Sequence, residues 1–328
     1  MKWTLTVVAG IAVLVLVLLV LAVADGILQQ RSSAAYFEVQ APFAATDTTD
    51  LGLMPTELVE SSGLAISRAH PGVIWSHNDS GDGPVVYQMD TTAVLTATYT
   101  VTPATAYDWE SMDLGVCPEI AGGETPSDSS PEWCLYLADV GDNNRRRDMV
   151  TIYIVAEPDP ATEATQLTTL AQIRLGYSGN SYDVEAFAVT PEGGLVVVTK
   201  GRAPEIRVFH VSPQDVVSAV ENDEVVQLLE GPRLPIEPKW DVGRVTTGAS
   251  MSPDGSTLAV RTYSEIYFYH WPIEGEPEAA APACFVGGLE PQGEAVAFWT
   301  GGRIMTTSES PGARPGHLLA LRCQGVEG

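Results

Sequence analysis

Five residues spread along the chain could meet at one site: Ser62, Glu110, Glu185, Thr247 and Glu294. Acids stand two positions earlier in three of the copies, at Glu60, Asp108 and Asp183. Carboxylates crowded into one mouth repel one another, so some hold their protons unless a cation neutralises them. An all-oxygen donor set with an amide nearby suits Ca²⁺ better than zinc or copper. The candidate metal ligands are therefore Glu110, Glu185, Glu294, Asp108, Asp183, Glu60 and Asn78. Lys200 and Arg261 are the candidate catalytic groups, two cations that could stabilise negative charge developing on a substrate. The alternative makes the acids structural, accepting backbone hydrogen bonds where strands begin.

The elements that must position these residues are short strands. Residues 183–201 show the unit most clearly: two apolar runs flank Pro191-Glu-Gly-Gly194, a tetrad that supplies the positive φ a tight hairpin needs. The first run alternates, putting Glu185, Phe187 and Val189 on one face. The second, Leu195 to Thr199, is apolar on both faces, as in a strand packed between layers. Variants recur with the five residues above 48, 75, 62 and 47 positions apart. Each opens a set of short strands whose joints carry Gly, Pro or Asp. Four-stranded units at such a period predict an all-β fold, a five-bladed β-propeller. Six blades are the alternative, if the 75-residue interval hides a degenerate unit. The last unit ends one strand short, and a strand from residues 36–58 is expected to complete it. In a propeller blade the start of the first strand and the end of the second emerge on one face. That topology gathers Asn78, Asp79, Asp139, Asp142, Lys200, Arg261 and Glu309 beside the five positions.

The openings Glu60-Ser-Ser-Gly-Leu-Ala, Asp183-Val-Glu-Ala-Phe-Ala and Gln292-Gly-Glu-Ala-Val-Ala resemble those of bacterial extracytoplasmic propellers of the phytase-like and esterase-like type. A more distant similarity is to the gluconolactonase and paraoxonase group, which implies calcium at the channel mouth. The resemblance spans residues 55–323. Ala186 and Ala295 stand where the pattern has Gly, and Thr247 where an acid is expected.

The charge of −25, from 17 basic and 42 acidic residues, disfavours a phosphate backbone as partner, so no nucleic acid is expected. After Lys2, residues 3–24 carry no charge and are long enough to span a bilayer. Residues 1–24 are thus expected to form a transmembrane anchor, with an acidic side outside the cytoplasm. Ala22-Val-Ala24 also fits a signal-peptidase site, which would make the protein secreted. Residues 25–50 read as a stalk and 51–328 as the propeller domain. Four cysteines suit an oxidising compartment and allow three connectivities. The expected pairs are Cys117–Cys134, stapling a polar insertion, and Cys284–Cys323.

Asn78-Asp-Ser-Gly-Asp82 resembles the start of a calcium loop but lacks its later Glu, and an Asx turn accounts for it. Arg145-Arg-Arg147 reads as a solvated hairpin tip that could dock an anion. Gly248-Ala-Ser-Met-Ser252 misses the last glycine of a nucleophile elbow, and no phosphate-loop, dinucleotide or H-E-x-x-H motif occurs. Two roles remain. One is a recognition or scaffold propeller, monomeric, binding a small molecule or protein at its acidic face. The other is a Ca²⁺-dependent hydrolase of phosphate esters or lactones.

Overall fold

The computed structural model describes residues 43–118, 132–201, 205–239, 243–312 and 314–327. All of them belong to the compact unit Gln40–Gly328. The expected membrane segment 1–24 lies outside these residues, as do residues 36–42 of the stretch expected to supply the closing strand. Among the described residues no helix is long and apolar enough to cross a membrane.

The chain begins with β1 (Phe43–Ala44) and β2 (Thr46–Leu53). Antiparallel units follow. The first is β3 (Ser61–Ile66), β4 (Val73–Asn78), β5 (Val85–Asp90) and β6 (Leu95–Thr102). The second is β7 (Trp109–Val116), β8 (Trp133–Asp139), β9 (Met149–Ala156) and β10 (Gln166–Tyr177). The third is β11 (Val184–Val189), β12 (Leu195–Thr199), β13 (Ile206–Val211) and β14 (Val225–Leu234). Between its last two strands lies α1 (Pro213–Asn222), which Ser212 caps by accepting from the Asp215 N–H at 3.1 Å. The fourth is β15 (Thr246–Met251), β16 (Thr257–Thr262), β17 (Glu265–His270) and β18 (Ala279–Phe285). The fifth has β19 (Gln292–Trp299), β20 (Arg303–Glu309) and β21 (His317–Arg322).

β2 pairs antiparallel with β21, from Thr46 opposite Arg322 to Leu53 opposite His317. The amino-terminal segment thus supplies the fourth strand of the last unit, as the incomplete repeat requires. This corrects the boundary at residue 50, which cuts through β2. A polar strand at the outer edge of a blade reads like a stalk, because neither of its faces needs to be apolar.

The first strands of the units pack in a cycle: β3 on β7, β7 on β11, β11 on β15, β15 on β19, and β19 back on β3. Among the described residues no hydrogen-bonded sheet closes on itself. The outer strands β6, β10 and β14 of the first three units pair in parallel, and apolar side chains pack between units. Tyr136, Ile152, Val184, Phe187 and Val197 form one such layer, and Ala188, Val198, Met251 and Val260 another. All five residues of β12 are buried, as its two-sided apolar pattern demands. Its hairpin turns through Gly193 at φ 86°, with the Gly193 N–H donating to the Thr190 carbonyl at 2.8 Å. The arrangement is that of a β-propeller. Both expected disulfides are present, Cys117–Cys134 and Cys284–Cys323.

Each first strand slips register near its start. The shifts fall between Ser61 and Gly63, Trp109 and Ser111, Val184 and Ala186, Thr246 and Gly248, and Gly293 and Val296. The skipped residues include Ser62, Glu110, Glu185, Thr247 and Glu294, so the five aligned positions are β-bulges. A bulge leaves one residue out of the ladder and re-aims its side chain, which is why bulges collect beside functional sites.

Candidate functional site

The bulges turn five side chains toward one another, and all five residues are buried. The two hydroxyls tie neighbouring units together. Ser62 Oγ donates to the Glu110 carbonyl at 2.7 Å, and Thr247 Oγ1 donates to the Glu294 carbonyl at 2.9 Å. A carboxylate could not make those bonds, so the two positions that depart from the acidic pattern are structural. The three glutamates keep their carboxyls for the mouth.

Second-strand ends arrive beside them. The Asp79 N–H donates to the Glu60 carbonyl at 2.9 Å, Gly141 N–H to Asp108 at 3.1 Å, and Lys200 N–H to Asp183 at 2.9 Å. Asp79, Asp108 and Glu110 thereby each offer a carboxylate oxygen within 4.8 Å of the other two. A β-carbon at Gly141 would collide with the carboxylate oxygens of Glu110 and Asp108. The glycine is what lets the backbone of β8's end come this close. Glu185 is near enough to raise Glu110 by its charge, and Glu309 to raise Glu294. Lys200 Nζ meets Glu185 Oε1 at 2.5 Å. Gln292 Nε2 donates to Glu294 at 3.1 Å and to Glu309 at 2.7 Å, bracing the second acid pair.

Burial dominates the electrostatics. Desolvation pushes Glu110 well above the usual carboxylate range, and the charges of Glu185, Asp79 and Asp108 push it further. Glu294 is raised in the same way, by burial and then by Glu309 and Glu185. Glu185 is pushed up to about 7 by burial even though Lys200 opposes the shift. Glu309 also reaches about 7, and Asp108 about 6, each with burial as the largest cause. The Tyr263 phenol is pushed up by burial and then by the charges of Glu294, Glu185, Glu309 and Glu110.

These shifts fix a pH dependence. Carboxyls of the unfolded chain titrate near 4, so between about pH 4 and 7 the folded state holds protons that the unfolded state has lost. Stability therefore falls as pH rises through that window, the reverse of an ordinary salt-bridged acid. In chelator, the melting temperature is expected to be higher at about pH 5 than at about pH 7. A steady rise over that interval would contradict the shifts.

The structure sorts the sequence-derived candidates. Glu110, Glu185, Glu294, Asp108 and Asp183 line the mouth or its rim, and all are buried. Asp183 Oδ1 accepts from the Asp142 N–H at 3.0 Å, a tie between the second and third units. Glu60 is exposed. Asn78 is committed to the segment that enters β3: its Oδ1 accepts from the Glu60 N–H at 3.0 Å. Its Nδ2 donates to Glu57 O at 2.7 Å and Asp82 at 2.8 Å, so these bonds, and not the expected Asx turn, take the amide proposed as a ligand. Arg261 does not serve the mouth either. It is fully buried, paired through Nη2 with Glu290, and its Nη1 donates to the Ala295 carbonyl at 2.7 Å. Sequence reasoning placed Asp79 and Glu309 at the mouth without choosing them as ligands. Their position at the ends of second strands, opposite an acidic opening, was the signal for both.

No family model matches the chain, and no curated protein matches it. Among solved structures it is similar to the PQQ-bound form of aldose sugar dehydrogenase from Streptomyces coelicolor, at 12% identity and a TM-score of 0.47. The match covers 86% of this chain and 99% of that one. Likeness at that level says nothing about ligand or chemistry.

Proposed function

We propose that this chain is an extracytoplasmic five-bladed propeller, anchored through residues 1–24, whose acidic mouth binds Ca²⁺ and presents it to a ligand. The 75 residues between Glu110 and Glu185 hold the Cys117–Cys134 insertion and the long β10, which accounts for the interval without a sixth blade. The observation that carries the cation reading is the spacing of Asp79, Asp108 and Glu110 oxygens, within 4.8 Å of one another. Two oxygens bound to one Ca²⁺ at roughly 2.4 Å each stand at most about 4.8 Å apart, so no pair among these three is too far apart to share an ion. Neutralising acids that otherwise hold protons is also the charge change such a cluster favours. Glu185 and Asp183 would complete the oxygen shell or orient it.

The hydrolase reading keeps one favourable observation, the Glu185–Lys200 pair beside acids raised toward neutrality. A bound metal would supply Lewis acidity there; Lys200 would stabilise negative charge on a substrate oxygen, and Glu185 would hold or accept a proton. Arg261 adds nothing to this reading, being committed elsewhere, and Arg147, beside Asp108, is paired with Asp139 at 2.8 Å. The purified protein, assayed on p-nitrophenyl phosphate, phytate and simple lactones with Ca²⁺, is expected to show no turnover. Calcium-dependent hydrolysis abolished by Glu185→Gln would replace the binding reading with the enzymatic one.

A further inference from the structure

A cleft of about 530 Å³ lies beside the mouth, lined by Asn144, Arg145, Asn180, Ser181, Tyr182, Glu205 and Arg207. It stands where the turn after β8, the connection before β11 and the start of β13 converge. Its position is fixed by the bond from Asp142 N–H to Asp183 Oδ1, since Asn144 and Tyr182 flank that tie. The volume is within the range of small-molecule sites, roughly 300–1,000 Å³.

The lining is balanced except for one charge. Arg207 is held by Glu205 at 2.8 Å and by Glu230, while Arg233 also pairs with Glu205. Arg145 is exposed and has no ion-pair partner among the described residues. Its backbone is held in the left-handed region at φ 50° by the turn that closes from Arg145 N–H to Asp142 O at 2.8 Å. A non-glycine residue kept there costs energy, and such positions cluster at ligand clamps. Around this cation stand two amides and a hydroxyl, each able to donate and accept. Tyr182 supplies a ring, fixed by Tyr177 and Phe209 at centroid distances of 5.4 and 5.1 Å. One layer behind it, the Tyr177 phenol oxygen is buried and lacks a hydrogen-bond partner among the described residues.

We infer that this cleft binds a small hydroxylated anion, an acidic sugar in its chemistry, whose carboxylate or phosphate meets Arg145 and whose hydroxyls meet Asn144, Asn180 and Ser181. The site is separate from the cation site and does not need it. On a chain of net charge −25, an unpaired arginine is where an anion can approach with least repulsion.

The test is calorimetric titration of the full chain, in chelator, with glucuronate, glucose 6-phosphate and glucose. At least one of the acids is expected to bind saturably, and glucose more weakly by about tenfold or more. The acid that binds identifies carboxylate or phosphate as the anion. Arg145→Asn, a residue that tolerates the left-handed turn, should weaken binding by about tenfold or more, and Arg322→Gln, at the far end of β21 in the fifth unit, by less than about twofold. Failure of both acids to bind, equal binding of glucose, or equal effects of the two arginine variants would each overturn the inference. Because cation is excluded, none of these outcomes bears on calcium at the mouth.

Discussion

A chain that starts at Met54, without β1 and β2, is expected to lose most of its cooperative stability. β2 is the outer strand of the last unit, and its partner β21 carries buried Leu318, Leu319, Ala320 and Leu321. Removing it leaves one edge of β21 without a ladder. At about 1 kcal/mol net for each lost hydrogen bond, a strand of this length contributes on the order of 5 kcal/mol. Domains are stable by roughly 5–15 kcal/mol in total, so the truncated chain should melt far lower or without a transition. Leu51 also leaves the cluster around Leu58, Met305 and Leu318, and the Arg303–Asp47 pair at 2.8 Å goes with it. Circular dichroism melts of the two chains check this. A peptide spanning residues 43–53 should restore part of the transition by adding back as a strand. Unchanged melting would mean that β2 does not close the ring.

Arg261→Met should be the most damaging single substitution, at about 3–5 kcal/mol, because it strands a buried carboxylate. Glu290 has a side chain only 2% exposed, with Arg261 and the Thr306 hydroxyl, at 2.8 Å, as its partners. Gly293 makes room for the guanidinium, since a β-carbon there would overlap it. Replacing both members, as Arg261→Met with Glu290→Leu, should recover much of the loss, since paired apolar side chains replace buried ion pairs at little cost. Urea melts of the single and double variants decide the matter. An Arg261→Met protein as stable as the parent would return this residue to the list of candidates for chemistry.

Arg261 also shows what the sequence could and could not disclose. The repeat placed it at the end of a second strand, and that is where it lies. Its side chain leads instead to the next unit, where Glu290 waits in a loop that belongs to no repeat position. Composition and spacing do not register a pairing of that kind. The five bulge residues are the opposite case. Their alignment was legible because each follows the same short opening, and the fold carries all five to the same place. The bulge itself was not legible, since a one-residue register slip leaves no mark on an alternating pattern. Asn78 looked like a ligand because it stands among acids, yet its amide is taken by the backbone of Glu57 and Glu60 and by the Asp82 carboxylate. Asp79, one residue on, took the place expected of it. The amino-terminal strand was legible only as a vacancy in the last unit, because β2's own residues, Thr-Asp-Thr-Thr-Asp, do not read as a strand.

The most direct test of the cation site is calorimetric titration of Ca²⁺ near pH 6.5, repeated in buffers of different ionisation enthalpy. Binding to acids that hold protons must release them, so the apparent heat should depend on the buffer. The expected result is saturable binding with proton release, abolished by Glu110→Gln and by Gly141→Ala, whose methyl group would intrude on the Asp108 and Glu110 oxygens. Arg322→Gln, at the end of β21 away from Glu309, should leave it unchanged. No saturable heat, or binding that survives both Glu110→Gln and Gly141→Ala, would contradict calcium at this mouth.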